Sequence, residues 1–233
     1  MSIWFATPAF ERFDLSVICF EQRKRVMDQL AGQGIEARCV VVADDENLDS
    51  ARALGFDTVE QNNDWLGRKF NDGIEYACRN GATWVVPIGS DSWIDPAYFV
   101  PLPPDKPRIV RTSQLYAPVE KDRLAITRVA HRTNPAGPHM FHRDLLAKAG
   151  YRPMPDQINR RTDSNTVSSL WPFRFEFKDV HELQYIGFRA PPFITKYDNL
   201  WKRWGVTEHE DPWDRLAKHY DVDLVERARR AMS

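Results

Sequence analysis

Apolar runs alternate with amphipathic stretches through the first hundred residues. Ile3-Trp4-Phe5-Ala6-Thr7 is a continuous apolar run halted at Pro8, which predicts a buried strand. From 14 to 31 the apolar side chains fall at 15, 18, 19, 26, 27 and 30, close to helical spacing, and Gly32 and Gly34 follow as stop signals. Residues 37–43 predict a second strand that runs straight into Asp44-Asp45-Glu46-Asn47. Residues 48–54 read as a short helix closed by Gly55, 57–60 as a third strand, and 66–80 as an amphipathic helix before Gly81. Residues 83–88 give a fourth strand ending in Gly89-Ser90-Asp91-Ser92. This order implies an α/β fold, a mostly parallel sheet covered by helices on both faces.

After residue 100 the punctuation changes. A proline-rich turn segment at 101–107 precedes a stretch, 110–130, that reads as two strands of a hairpin or edge ribbon. Residues 143–149 are predicted helical and end at Gly150, and a further helix is expected from 163 to 170. The tail carries helical patterns at 211–219 and 221–232. The organisation expected is one domain over 1–195, with an alternating half (1–100) and a mixed half (101–195), followed by a helical tail over 196–233.

Composition narrows the classes. With 42% hydrophobic and 28% charged residues the chain is not of a disordered type. Its 32 Lys and Arg against 33 Asp and Glu leave a net charge of -1, which argues against a protein held to nucleic acid by its overall field. No apolar run approaches the ~20 residues of a membrane span, and no signal peptide is visible at the start, so no membrane partner and a cytoplasmic location are expected. Cys19, Cys39 and Cys78 are too scattered for a disulfide framework and read as small core residues. His139 and His142, three apart on an expected strand, point to opposite faces and do not read as a metal pair.

Candidate chemistry gathers at strand ends, where open α/β sheets bind ligands. Asp44 and Asp45 follow the second strand and Asp91 the fourth. No G-x-G-x-x-G follows the first strand and no G-x-x-x-x-G-K-[ST] occurs, which disfavours a dinucleotide dehydrogenase and a P-loop nucleotidase. Carboxylates at such ends suit a nucleotide-sugar site: one accepts hydrogen bonds from base or ribose, another holds a hard divalent cation against a diphosphate.

In order and spacing these segments resemble the GT-A fold of family-2-type glycosyltransferases, and the whole is similar to small bacteriophage-encoded glycosyltransferases. Ala6-Thr7-Pro8-Ala9-Phe10-Glu11-Arg12 is similar to the family's nucleotide-lining opening segment. The stretch from Val40 to Glu46 is similar to its second strand, whose terminal Asp binds the base. Leu66-Gly67-Arg68-Lys69-Phe70-Asn71-Asp72-Gly73-Ile74 resembles its G-x-x-x-A-R-N-x-G-I helix, and Gly89-Ser90-Asp91 sits where it places the metal-binding D-x-D. Gly137-Pro138-His139-Met140-Phe141-His142-Arg143 resembles its acceptor-side strand, and Thr162-Asp163 falls where an E-D pair supplies the catalytic base. Two acids of the pattern are replaced, by Gly89 and by Thr162.

The resemblance implies a metal-dependent, inverting glycosyltransferase. Asp163 would be the catalytic base, and Asp91, with His181 as a supplementary ligand, would hold Mn²⁺ or Mg²⁺. Asp45 or Asp44 would bind the base of a nucleotide-diphosphate sugar, UDP-linked first of all. Thr7, Pro8, Arg12, Gly67 and Asn71 would line the donor, Ser90 would replace the lost ribose contact, and Lys69 or Arg68 would add charge near the phosphates. Trp65 and Trp93 flank the site and are placed to stack on sugar or base. The acceptor implied is a phage macromolecule, a protein or glycan rather than DNA, although 101–161 is rich in Arg and Lys and keeps hydroxylated DNA as an alternative. A nucleotide-sugar-binding protein without turnover is the competing reading. A nucleotidyltransferase is disfavoured, because Thr7-Pro8-Ala9-Phe10 is not a Gly-rich phosphate loop.

Overall fold

The computed structural model describes residues 1–44, 46–62, 64–103, 105–112, 117–120, 123–127, 139–159, 170, 175–178, 184–188 and 206–232. The alternating half takes the expected form. Strands β1 (Ser2–Pro8), β2 (Glu36–Ala43), β3 (Asp57–Glu60) and β4 (Trp84–Pro87) are separated by α1 (Phe13–Gly32), α2 (Asn47–Ala53) and α3 (Leu66–Arg79). The chain beyond β4 supplies β5 (Ser92–Ile94), β6 (Ile109–Thr112), β7 (Ala117–Glu120), β8 (Arg123–Thr127), β9 (His139–His142), α4 (Arg143–Ala147), β10 (Phe175–Lys178), β11 (Tyr185–Phe188) and β12 (Val206–Glu210). Helices α5 (Pro212–Ala217) and α6 (Val222–Ala231) close the chain.

Among the described residues the central sheet has seven strands in the order β10-β6-β9-β4-β1-β2-β3. The β1, β2, β3 and β4 pairings are parallel, as is that of β10 with β6, and β9 runs antiparallel between β4 and β6. Strand β1 is buried throughout because it is covered on both faces. Ile3 and Phe5 point into the core under α1, Trp4 and Ala6 into the core under α3. Gly73 lets α3 sit close on the sheet, since a Cβ there would lie 3.3 Å from the Ala6 Cβ and 3.2 Å from Val42 Cγ2.

A second sheet, ordered β12-β8-β7-β11-β5, begins directly after the Asp91 loop. Its β7–β8 pair is the hairpin expected between 110 and 130. Strands β5 and β12 were not expected. Each is fixed by a partner distant in sequence: β5 pairs with β11 and β12 with β8. The helix expected from 163 lies outside the described residues up to Leu170, which is buried. Tail helices fall close to the predicted stretches, α6 packing on α1 and α5 on α6. Trp213, Leu216, Leu224, Val225 and Ala228 join the same core as Ile3 and Phe5. Arg227 of α6 forms a two-pronged ion pair with Glu21 of α1, at 2.5 and 2.8 Å.

Candidate functional site

Strand order fixes where a ligand can enter. From β1 the chain moves to β2 and β3 on one side, then returns through α3 to β4 on the other. The switch point therefore lies between the carboxyl ends of β1 and β4, the position open α/β sheets use for ligands. The loops leaving those two strands carry Arg12 and Asp91, and they meet. Arg12 Nη1 donates to Asp91 Oδ2 at 3.0 Å, with both side chains about one quarter exposed (24% and 25%).

The loop after β1 is built to aim Arg12. Glu11 and Arg12 both adopt positive φ, 50° and 46°, a region that costs a non-glycine residue about 1–2 kcal/mol. Neighbouring bonds hold them there. The Ala9 N–H donates to Val42 O at 3.0 Å, Ala9 O accepts from Lys69 Nζ at 2.8 Å, and Arg12 O receives the first bond of α1, from the Ser16 N–H at 2.9 Å. The Asp91 loop is tied as firmly. Phe188 N–H of β11 donates to Asp91 O at 2.8 Å, and Ser92 Oγ donates to Asp91 Oδ1 at 3.2 Å.

Beneath both loops lies a fully buried arginine. Arg23 Nη1 donates to Thr7 Oγ1 at 2.7 Å, and Nη2 to the carbonyls of Gly89 and Ser92, each at 3.1 Å. Its guanidinium also lies 5.8 Å from the centre of the Phe5 ring, while its buried Nε meets no acceptor among the described residues. Sequence reasoning missed Arg23. The signal was its register: it sits on the apolar stripe of α1, between Cys19 and Val26. Burial raises the Cys19 thiol well above its ordinary value, with Arg23 the leading opposing influence, so this thiol is a core group.

The remaining expected site residues divide into two sets. Asp44 is exposed at the end of β2, Ser90 is half-buried in the β4 loop with no side-chain hydrogen bond among the described residues, and Pro8 ends β1 opposite Val42. These lie at the strand ends beside Arg12 and Asp91. The others are used internally. Thr7 is buried and gives its hydroxyl to Arg23. Lys69 is buried (3% exposed), with its ammonium on Ala9 O and 5.5 Å from the centre of the exposed Phe10 ring. Arg68, by contrast, is exposed and pairs with the exposed Asp64 at 3.9 Å.

Gly67 and Asn71 hold the segment after α4 rather than reaching the strand-end loops. A Cβ on Gly67 would meet Pro155 O at 2.1 Å, and its N–H donates to Ile158 O at 2.8 Å. Asn71 is wholly buried, donating to Met154 O and Asp156 Oδ1 and accepting from the Met154 N–H. Trp93 corrects an expectation. It has no exposed surface and packs between Phe188 and Tyr220 as part of β5, so its ring is not available to stack on a ligand. Trp65 is exposed at the start of α3. Asp45, Asp163 and His181 lie outside the described residues.

Asp91 also tests the fit of a divalent cation. Its Oδ2 is taken by a guanidinium and its Oδ1 by a serine hydroxyl. Among the described residues no three His, Cys, Asp or Glu side chains gather as a ligand set. Gly89 deepens the mismatch: a Cβ there would lie 2.6 Å from Asp91 Oδ1, so an acid at this position would displace the carboxylate. Hard divalent cations require several oxygen ligands. The Asp91 carboxylate is already paired, and the described residues bring no ligand set around it, so they do not fit a metal centre.

No protein-family model and no curated protein matches the chain. Solved structures do match. Staphylococcus aureus TarS 1-349 in complex with UDP aligns with TM-score 0.58 and 15% identity, over 82% of this chain and 61% of that one. The catalytic domain of Drosophila beta1,4galactosyltransferase 7 in complex with xylobiose aligns with TM-score 0.50 and 10% identity, over 76% and 64%. A mutant of the Drosophila enzyme in complex with manganese, UDP-Gal and xylobiose gives TM-score 0.50 and 11% identity over the same shares. The chain thus spans about three fifths of the length of TarS 1-349. Likeness at this level speaks for architecture: the chain has the mixed α/β fold, with its mostly parallel central sheet, of GT-A-type glycosyltransferases.

Proposed function

We propose that the chain is a glycosyltransferase that takes a nucleotide-diphosphate sugar as donor and a hydroxyl as acceptor. The observation that carries this is the Arg12–Asp91 pair, which joins the loops of β1 and β4 across the switch point of a GT-A-type sheet. The base lies towards Asp44 and Asp45, the ribose towards Ser90, and the diphosphate against the loops of β1 and β4. UDP in the TarS complex and UDP-Gal in the Drosophila complex make uridine donors the first to try.

In the inverting reaction proposed, Asp163 accepts the acceptor hydroxyl's proton as its oxygen bonds the anomeric carbon from the face opposite the leaving group. The bond from that carbon to the donor phosphate breaks, and its electron pair leaves with the nucleoside diphosphate. Positive charge at the strand ends meets the negative charge that develops there. The Drosophila enzyme is seen with manganese beside UDP-Gal, whereas here the paired Asp91 carboxylate does not fit such an ion and the charge comes from the side chains of the strand-end loops. The acceptor proposed from the sequence is a phage protein or glycan in the cytoplasm, with hydroxylated DNA as the alternative.

A thermal-shift screen of UDP, GDP, ADP and CDP and their sugars, with and without Mn²⁺, tests the reading. A ligand at a hundredfold excess over Kd stabilises by about 2.7 kcal/mol, so a true donor stands out from the rest. Hydrolysis or transfer of that donor's sugar identifies an enzyme, and binding without either identifies a nucleotide-sugar-binding protein. No response to any nucleotide in either condition rejects the reading.

A further inference from the structure

We infer that Arg12 is the cation facing the donor diphosphate, and that this chain binds its donor without a divalent metal. The inference rests on the nucleotide-sugar reading above. Three separate features of the chain lead to it.

The first is the pair itself. Arg12 reaches Asp91 through Nη1 alone among the described residues, at 3.0 Å, and three quarters of each side chain is covered. A guanidinium has five N–H donors in a planar fork, so one bond to Asp91 leaves donors for phosphate oxygens, which Arg matches two at a time. Asp91 in turn holds the fork at the rim of the sheet. A metal ion on Asp91 would have to compete with a cation that already compensates it.

The second is the backbone. Two successive non-glycine residues, Glu11 and Arg12, stand in the left-handed region immediately after β1. Strain of this kind persists only where surrounding bonds over-determine it. Val42 O, Lys69 Nζ and the first turn of α1 supply those bonds. The strained turn delivers one side chain to the switch point, and that side chain is cationic.

The third is Gly89. It stands where the resemblance expects the first acid of a metal-binding pair, and its missing side chain leaves room for the Asp91 carboxylate. A Cβ would come within 2.6 Å of Asp91 Oδ1. The glycine thus leaves the loop one acid fewer and gives the Asp91 carboxylate room beside Arg12. During transfer the electron pair of the broken bond passes to the donor phosphate, and Arg12 meets that charge with charge-assisted hydrogen bonds.

The test is UDP binding to the full chain by calorimetry, in EDTA and then in Mn²⁺, with GDP, ADP and CDP tried if UDP is silent. The proposal expects binding in EDTA that Mn²⁺ changes by less than about threefold, a margin well inside the order of magnitude attributed to Arg12. It expects Arg12→Ala and Arg12→Gln to weaken binding by roughly 10- to 100-fold, the worth of bonds to a charged group, and Arg12→Lys to restore part of it. Circular dichroism and urea midpoints show that the variants fold, and Arg12→Gln keeps the side-chain length should Ala disturb the turn. Binding that appears only with Mn²⁺ overturns the proposal and leaves the nucleotide-sugar reading standing. Unchanged affinity in the folded Arg12→Ala and Arg12→Gln variants overturns it as well. Silence from all four nucleotides in both conditions removes the reading beneath it, and the proposal with it.

Discussion

Among the described residues, each face of the central sheet buries a cationic side chain that reaches towards the strand ends, and the two faces use it differently. Under α1, Arg23 spreads its guanidinium over Thr7, Gly89 and Ser92, so one residue spans the end of β1 and the whole Asp91 loop. Under α3, Lys69 places its ammonium on the carbonyl of Ala9. A planar fork can bridge several oxygens at fixed angles, whereas an ammonium is a compact point donor. Arg23 therefore sets the distance between two loops, and Lys69 sets the posture of one. Both faces push positive charge towards the same edge, where Asp91 is partnered by a third cation, Arg12. Such an edge favours an anionic ligand.

Removing the two buried cations should separate these roles. Arg23→Met leaves a hydroxyl and two carbonyls without their donor in a dry site, at about 1–3 kcal/mol for each unsatisfied group, partly offset by no longer burying a charge. The expected loss is about 3–5 kcal/mol, read from urea denaturation, together with loss of UDP binding. Lys69→Met gives up the bond to Ala9 and should cost about 1–2 kcal/mol, with weaker UDP binding because the turn carrying Arg12 is loosened. Equal losses from the two variants would mean that Arg23 acts as a local bond and does not couple the loops.

The contrast also explains what could be read from the sequence. Strands β1, β2 and β4 and helices α1 and α3 were legible because their contacts follow the local period of apolar residues. Asp91 and Arg12 were legible as residues at strand ends, but their pairing was not, since only the parallel register of β1 with β4 brings them together. Trp93 looked like a flanking aromatic because nothing near Ser92-Trp93-Ile94 announces that Tyr185–Phe188 will pair with it. Val206–Glu210 shows the same limit: its strand state comes from β8, not from its own pattern. The motif residues Gly67 and Asn71 were singled out for a donor site, and the structure gives them loop-holding work, while Gly73 of the same motif serves packing.

That work sets the second test, on the α3 face. Gly67→Ala gains helix propensity of about 1 kcal/mol, but its Cβ meets a backbone oxygen, Pro155 O, at 2.1 Å. Backbone cannot swing aside as a side-chain tip can, so the 154–158 segment must move and the Gly67–Ile158 and Asn71–Met154 bonds loosen. The net cost expected is about 1–3 kcal/mol, the range for overpacking. Gly73→Ala, whose Cβ would lie 3.2–3.3 Å from side-chain carbons, is expected to cost under about 1 kcal/mol. Differential scanning calorimetry of the pair decides it. A Gly67→Ala protein as stable as the wild type would show that the segment rests loosely on α3.

Acid should distinguish the two faces by a smaller amount. On the α1 face, Asp95 is mostly buried (16% exposed), accepts from the Ala97 N–H at 2.7 Å and lies 2.9 Å from Nε2 of His219, which follows α5. Burial alone would raise its carboxyl, but the hydrogen bonds from His219 and Ala97 outweigh it and hold the group below its ordinary 3.8. On the α3 face, Asp156 is lowered as well, with burial opposing and Asn71 and Arg152 prevailing, yet its side chain is 42% exposed and solvent screens much of the effect. A carboxyl lowered by folding contributes stability that is present above its unfolded pKa and is lost as pH falls through the folded one. Both contributions therefore fade below about pH 4, and the more buried Asp95 has more to lose. Hydrogen exchange corrected for intrinsic rates should show Pro212–Ala217 and Val222–Ala231 losing protection at a higher pH than Leu66–Arg79. In Asp95→Asn that gap should close, because the variant lacks the titrating group that ties α5 to β5. If α3 opens first in the wild type, the Arg152–Asp156 contact carries more of the acid response than its exposure implies, and the order of the two faces is reversed.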